Sequence, residues 1–535
     1  MQLRPPMLDQ VTGHSGRAAW IAAALLAALF AAFQIQSSLY SGALSLPVTY
    51  DDVGYFNDAL ARLEALHHDG GLAFIKGFWS NPPHAPLQTL LALIAFGVFG
   101  PHPWAADAMN AIPLTIILRL FLGFTIRALP MATATILTAA LLAFPLLGLL
   151  IVEFRPDALC ALLTAAGAMT IAADPRWRAG EQKTVAVASA LFVGALLAKP
   201  TLAPVTVVVF GVAAAATAFI QTQSKEEALR VSRMAILSGA IAALVVLPYY
   251  AAVSQRLYEY ITVNAFGSQA AVWAKNAATL DPAAYYLTGP GGKAAIGTPW
   301  LALSGALLVV SAPWWAQSWR VALSAAIAAG AAYAGVTAPS MKSPFIGLVV
   351  PAFVLCITAI LAALFISKMP RWLGFAFALC MLIFALLTWR PVALRLWGTT
   401  VPTAQAQHFN RIHMQTVDVL EAIPNIGQRK LYFPVIAQYL NRDNLEFELR
   451  RRGLSPPSMP VSYMVGDIQG QKQMLADSDL AILFSDESTL PLPWPPSAGI
   501  RKDINAAVAA EGAFEEIGAV DAGPYLGRIV VLKRK

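Results

Sequence analysis

Charge is what this 535-residue sequence has least of: Asp, Glu, Lys and Arg make up 13% of it, against 57% apolar residues and a mean hydropathy of +0.60. A soluble domain carries about 25% charged residues, so the composition excludes a water-soluble globular protein. Cysteine is rarer still. Cys160, Cys356 and Cys380 all lie inside apolar runs and share no metal-ligand spacing, which excludes a disulfide framework and a thiolate metal site and leaves three small buried hydrophobes. A net charge of +7 is compatible with nucleic-acid binding, but the bases sit in short stretches between apolar runs, as in a membrane protein that records its orientation. No nucleic-acid partner is expected.

What is abundant is apolar sequence in repeated blocks. A helix needs about 20 apolar residues to cross the hydrocarbon core, and eleven segments read as crossings: 18–39, 104–126, 131–151, 156–173, 184–199, 201–220, 233–252, 298–316, 320–338, 344–366 and 371–389. The first is read as an uncleaved anchor, because its run is long and no clear small-x-small cleavage site follows before Asp51. With the segment 1–17 cytoplasmic, Arg127, Arg176, Arg178, Lys183, Lys225, Arg230, Arg233, Arg320, Lys368 and Arg371 all fall on the cytoplasmic side. The positive-inside rule then places the loops 40–103 and 253–297 and the C-terminal region 391–535 outside.

The run Pro86 to Gly100 is apolar but has only 15 residues, bounded by Pro83, Pro86, Pro101 and Pro103. Counting it as a crossing would invert every later loop, so a re-entrant or interfacial helix is expected over 86–100. Apolar residues recur at helical spacing at Val53, Phe56, Leu60, Leu63 and Leu66, which predicts an interfacial helix over 53–67. From about Thr400 the composition becomes ordinary. Strand-like runs LYFPVIA, DLAILFS and RIVVLKRK and a charged helical stretch at 436–453 predict a small extracytoplasmic α/β domain. It has no G-x-G-x-x-G and no G-x-x-x-x-G-K-[ST], so nothing in it suggests nucleotide chemistry. The expected whole is an all-α polytopic membrane domain over 18–390 followed by this domain over 391–535.

With this orientation, Asp51, Asp52, Glu153, Arg155, Asp157, Lys199 and Lys342 all fall at span ends on the external surface. A carboxylate can act as general base toward a hydroxyl, and Arg or Lys can bind a phosphate that becomes the leaving group. Each residue also has a structural reading. Asp51 and Asp52 suit the start of a helix, where acids meet free N–H groups. Glu153-Phe154-Arg155-Pro156-Asp157 suits a salt-bridged helix boundary with Pro156 at the first helical position. Lys199, before Pro200, either snorkels to the surface or binds an anion. Lys342 and His84 are weaker candidates, since a lone loop lysine is usually solvated and a lone histidine usually structural. Arg256, Tyr258, Tyr260, Trp273, Tyr285 and Tyr286 in the second external loop suit a sugar or polyprenyl site, and aromatics at a membrane interface are common in any case.

A first span, the external pair Asp51-Asp52, PPHAPLQTLLALIAFGVFG, a span preceded by EFRPD, and then AKPT: this order resembles the membrane glycosyltransferases of the GT-C fold. Among them it is most similar to the protein mannosyltransferase, aminoarabinose transferase and rhizobial lipopolysaccharide glycosyltransferase group, over about residues 15–390. Asp-Asp stands where that group often has Asp-Glu, which separates Asp52 from Asp51. The resemblance implies transfer of a sugar from a polyprenyl-phosphate donor to a glycan, lipid or protein acceptor at the external face of the cell (inner) membrane. It implies Asp51 as base and Arg155 and Lys199 as donor-phosphate ligands; Asp52 beside the base, and Glu153, Asp157, His84 and Lys342 as support, come from the residues themselves. The group varies in its metal requirement; with no histidine or cysteine cluster in the sequence, any divalent cation would rest on Asp51, Asp52 and the donor phosphate. A polytopic transporter or lipid-linked sugar flippase is the alternative. Charges gathered at one surface, an odd span number and the large tail weigh against it.

Overall fold

The computed structural model describes residues 13–48, 50–267, 284–315, 318–339, 342–389 and 403–535. The segment 1–12, Trp273, the stretch 390–402 and the side chain of Asp51 lie outside the described residues. Two compact units are formed: one from Met1–Gln36, Asp69–Leu91 and Ala106–Gly398, the other from Ser37–His68, Ala92–Ala105 and Thr399–Lys535.

The first unit is a helical bundle. Among the described residues, eight helices are long and apolar enough to cross a membrane: Gly16–Ser41, Pro103–Thr125, Pro156–Ala173, Pro200–Gln221, Lys225–Asn264, Trp319–Thr337, Ile346–Ser367 and Arg371–Thr388. The expected crossing 131–151 is instead two helices, Met131–Leu141 and Pro145–Val152, bent by 70°. The amides of Leu142, Ala143 and Phe144 bond three residues back, to Ala139, Ala140 and Leu141. The helix tightens and stops there, and Pro145 opens the next one where its missing N–H costs nothing. The expected crossings 184–199 and 298–316 are the shorter helices Gln182–Ala198 and Thr298–Val310, and Pro86–Phe99 is shorter too. The helix Lys225–Ile261 outruns its expected span, taking in the start of the predicted loop 253–297. Ser224 caps it, accepting from the Glu227 amide at 3.1 Å.

Pro156–Ala173 is the bundle's axis. It packs against Gln182–Ala198, Ala203–Ala216, Trp319–Thr337 and Val349–Ser367, and nearly all of its residues are buried. Its Ala, Gly and Thr residues let neighbouring backbones approach closely; a Cβ at Gly167 would collide with the Phe210 ring.

The second unit holds a four-stranded sheet in the order β1-β2-β4-β3, with β1 Leu431–Tyr432, β2 Leu480–Phe484, β3 Phe514–Asp521 and β4 Arg528–Arg534. β1 is parallel to β2; β2 and β3 both pair antiparallel with β4. The charged helix is Arg442–Arg451, shorter than the expected 436–453. Asn441 accepts from the amides of Asp443 and Asn444 while its own N–H donates to the Asn444 side chain, a reciprocal cap that fixes the start.

Against that helix lies Tyr50–His68, which carries the acidic pair. Its stripe of Val53, Phe56 and Leu60 is covered by protein. Phe56 lies 5.6 Å from Phe447 and 5.4 Å from Phe96, Asn57 Nδ2 donates to the Asp443 carbonyl at 2.8 Å, and Arg450 pairs with Glu64.

Candidate active site

The helix Pro145–Val152 ends at Glu153, and the next begins at Pro156. Proline disfavours helical backbone in the residue before it, and Arg155 is extended accordingly, at φ −105° and ψ 143°. Asp157 falls in the first turn, where the free amide ends of the helix favour negative charge. The same device recurs at Lys199: it ends Gln182–Ala198 in non-helical backbone, at φ −139° and ψ 89°, because Pro200 follows.

These two proline-marked turns meet. The Lys199 ammonium donates to Asp157 Oδ1, across 42 residues of sequence, and Arg155 Nε stands 3.6 Å from Asp157 Oδ2. The carboxylate is 1% exposed, Lys199 14% and Arg155 11%. Burying an ionised carboxylate is prohibitive without paired charge, and here the Asp157 carboxylate is met by two cations, with the buried Glu153 in the turn just before them. The Arg155 guanidinium also lies 3.5 Å above the Phe345 ring, a cation–π contact that fixes its plane.

The loop before Phe345 is packed as well. Lys342 is buried at 4% exposure, and its ammonium donates to the carbonyls of Thr337, at 2.7 Å, and Pro339. Burial lowers its pKa from the usual lysine value. The expectation of a solvated loop lysine fails here, because two backbone carbonyls replace its water. At Gly347 a Cβ would collide with the ring of Tyr286, which is itself buried, as is Tyr285. Of the second-loop aromatics, Tyr258 and Tyr260 instead lie on the long helix and are exposed.

The structure therefore brings Arg155, Asp157 and Lys199 into one cluster. Glu153 is buried at the turn that leads into it. His84 sets its ring edge-on to Tyr260 at 5.6 Å, and Tyr249 Oη donates to the neighbouring Pro83 carbonyl at 2.8 Å. Asp51 and Asp52 belong to the second unit, in the first turn of Tyr50–His68, and Asp52 is buried. Sequence reasoning missed Phe345, whose role rests on a contact that no local pattern records. Among the described residues, no three His, Cys, Asp or Glu side chains come together to hold a metal ion.

No protein-family model matches the chain, and no curated protein matches its sequence. Solved structures do match. ArnT from Cupriavidus metallidurans in the apo state is similar at a TM-score of 0.59 and 15% identity, over 94% of this chain and 97% of that one. The same protein bound to undecaprenyl phosphate gives 0.56 and 15% identity, over 97% and 98%. An Archaeoglobus fulgidus oligosaccharyltransferase tethered to an acceptor peptide gives 0.50 and 11% identity, over 94% of this chain and 72% of that one. With an end-to-end match at such low identity, the shared property is architecture: this chain has the GT-C fold.

Proposed function

We propose that this protein is a membrane glycosyltransferase that moves a sugar from a polyprenyl-phosphate carrier to an envelope glycan, lipid or protein acceptor. The observation that carries the reading is the cluster of Arg155 and Lys199 around the buried Asp157, in a fold shared with a protein captured on undecaprenyl phosphate. Lys199 and Arg155 bind the carrier phosphate by charge-assisted hydrogen bonds, and Asp157 holds both in place. Asp51 takes the proton of the acceptor hydroxyl as its oxygen bonds to the anomeric carbon. The bond from that carbon to the phosphate oxygen breaks on the opposite side, with inversion, and the phosphate leaves on its lipid. Asp52 supports the base. The chain sits in the cell membrane with its N-terminus cytoplasmic and the C-terminal unit outside.

Two measurements test this. Asp51→Asn keeps the shape and hydrogen bonding but removes the base, so transfer by the purified enzyme falls about 100-fold or more; undiminished transfer rejects Asp51. Lys199→Gln weakens equilibrium binding of undecaprenyl phosphate about tenfold; unchanged affinity rejects the phosphate role. Mass spectrometry of carrier lipids after deletion of the protein identifies the donor. Accumulation of the lipid-linked sugar confined to the cytoplasmic leaflet would favour a flippase.

A further inference from the structure

A cavity of about 950 Å³ lies in the bundle between the helices Ala111–Thr125, Pro156–Ala173, Trp319–Thr337 and Val349–Ser367. Its volume is in the range of ligand sites, roughly 300–1,000 Å³, and its wall is mostly apolar, including Phe121, Phe124, Met169, Ala322 and Ile360. Charge enters the lining at Arg127 and Arg178. Arg127 follows the C-terminal end of Ala111–Thr125, and Arg178 follows that of Pro156–Ala173. The second of these helices has 18 residues, about 27 Å at 1.5 Å per residue, so this end of the cavity is far from Arg155 and Asp157.

The charged end is basic. Arg127 and the segments 174–183 and 225–233 together carry seven Arg and Lys against four Asp and Glu. Among the described residues, Arg178 is partly exposed and met by the Gln221 side chain at 3.1 Å and Glu227 at 3.6 Å, and Arg127 is met by Asp174 at 2.7 Å. Trp319 also lines the cavity and is half-exposed, as an aromatic at the headgroup level of a bilayer would be. An apolar chamber of this size suits a hydrocarbon chain, and the guanidinium groups at one end suit a phosphate.

We infer that this cavity holds an acyl chain of an anionic bilayer phospholipid, with the phosphate headgroup at Arg178 and Arg127. The site is separate from the Arg155–Asp157–Lys199 cluster and does not depend on the reaction proposed above. The lipid fills space between the axial helix and two of its neighbours, and so braces the bundle from the end opposite that cluster.

The test is native mass spectrometry of the purified full-length protein equilibrated with equal amounts of dioleoylphosphatidylglycerol and dioleoylphosphatidylcholine. Wild type should retain the anionic lipid with about tenfold preference. Ala322→Trp narrows the chamber and should reduce retention of both lipids. Arg178→Gln, on a partly exposed turn, should keep the chain but cut the preference to about twofold, and it decides the headgroup assignment even where Ala322→Trp misfolds. Equal retention of the two lipids by wild type, or an unchanged preference in Arg178→Gln, overturns the inference.

Discussion

The two ends of the helix Pro156–Ala173 carry the same charge arithmetic and use it differently. At one end Asp157 meets Lys199 and Arg155; at the other Asp174 meets Arg127 at 2.7 Å and Arg176 at 3.1 Å. Both carboxylates are buried. Asp174, however, also accepts from the Arg176 amide at 3.0 Å and so caps the short helix Pro175–Ala179, while Arg176 is 47% exposed. The Asp174 cluster is explained by the turn it closes, and its half-exposed partner Arg176 gains little from pairing. Both cations around Asp157 are nearly buried; Arg155 sits at the start of the same helix, while Lys199 comes from the end of Gln182–Ala198, a contact that local structure does not require. Burial of both cations around Asp157 is what separates the first end from the second.

Removing each carboxylate separates the two. Asp157→Ala strands two buried cations and should cost about 3–5 kcal/mol, read as a large drop in thermal melting of the purified protein. Asp174→Ala loses a cap and partly exposed pairs, about 1–3 kcal/mol together. Equal losses would erase the distinction drawn here. A smaller effect concerns acid. Burial alone would raise the Asp174 pKa, but hydrogen bonds from Arg176 and Arg127 outweigh it and hold the carboxyl below its ordinary value. The unfolded chain therefore takes up that proton first, near pH 4. The stability Asp174 contributes is present above that pH and declines as the pH falls further. Asp174→Ala should flatten the acid limb of a melting-temperature profile below about pH 4; an unchanged limb would show that these arginines do not favour the ionised form.

Much of the architecture was legible because a bilayer imposes long apolar runs: among the described residues, eight of the eleven expected crossings are helices long and apolar enough to span, and the change of composition near Thr400 precedes the sheet-bearing region. The misreadings have local causes. Hydropathy alone passed over the break before Pro145, although the proline was in view. β3 escaped notice because FEEIGAVD is exposed at most positions and lacks a buried alternating face. The helix Arg442–Arg451 was drawn too long because its reciprocal cap uses Asn at both positions, a quieter signal than Ser with Glu.

The sequence by itself determined the helical membrane class, the turns at Pro156 and Pro200 and the charged residues that flank them, because these follow from apolar run length and from the geometry of proline. Only the tertiary structure decided that Lys199 reaches Asp157, that Arg155 rests on Phe345 and that Lys342 turns inward onto two carbonyls. Those contacts join segments far apart in the chain or fold a loop back on itself. They depend on how the helices pack around Pro156–Ala173, a relation that spacing along the sequence does not encode.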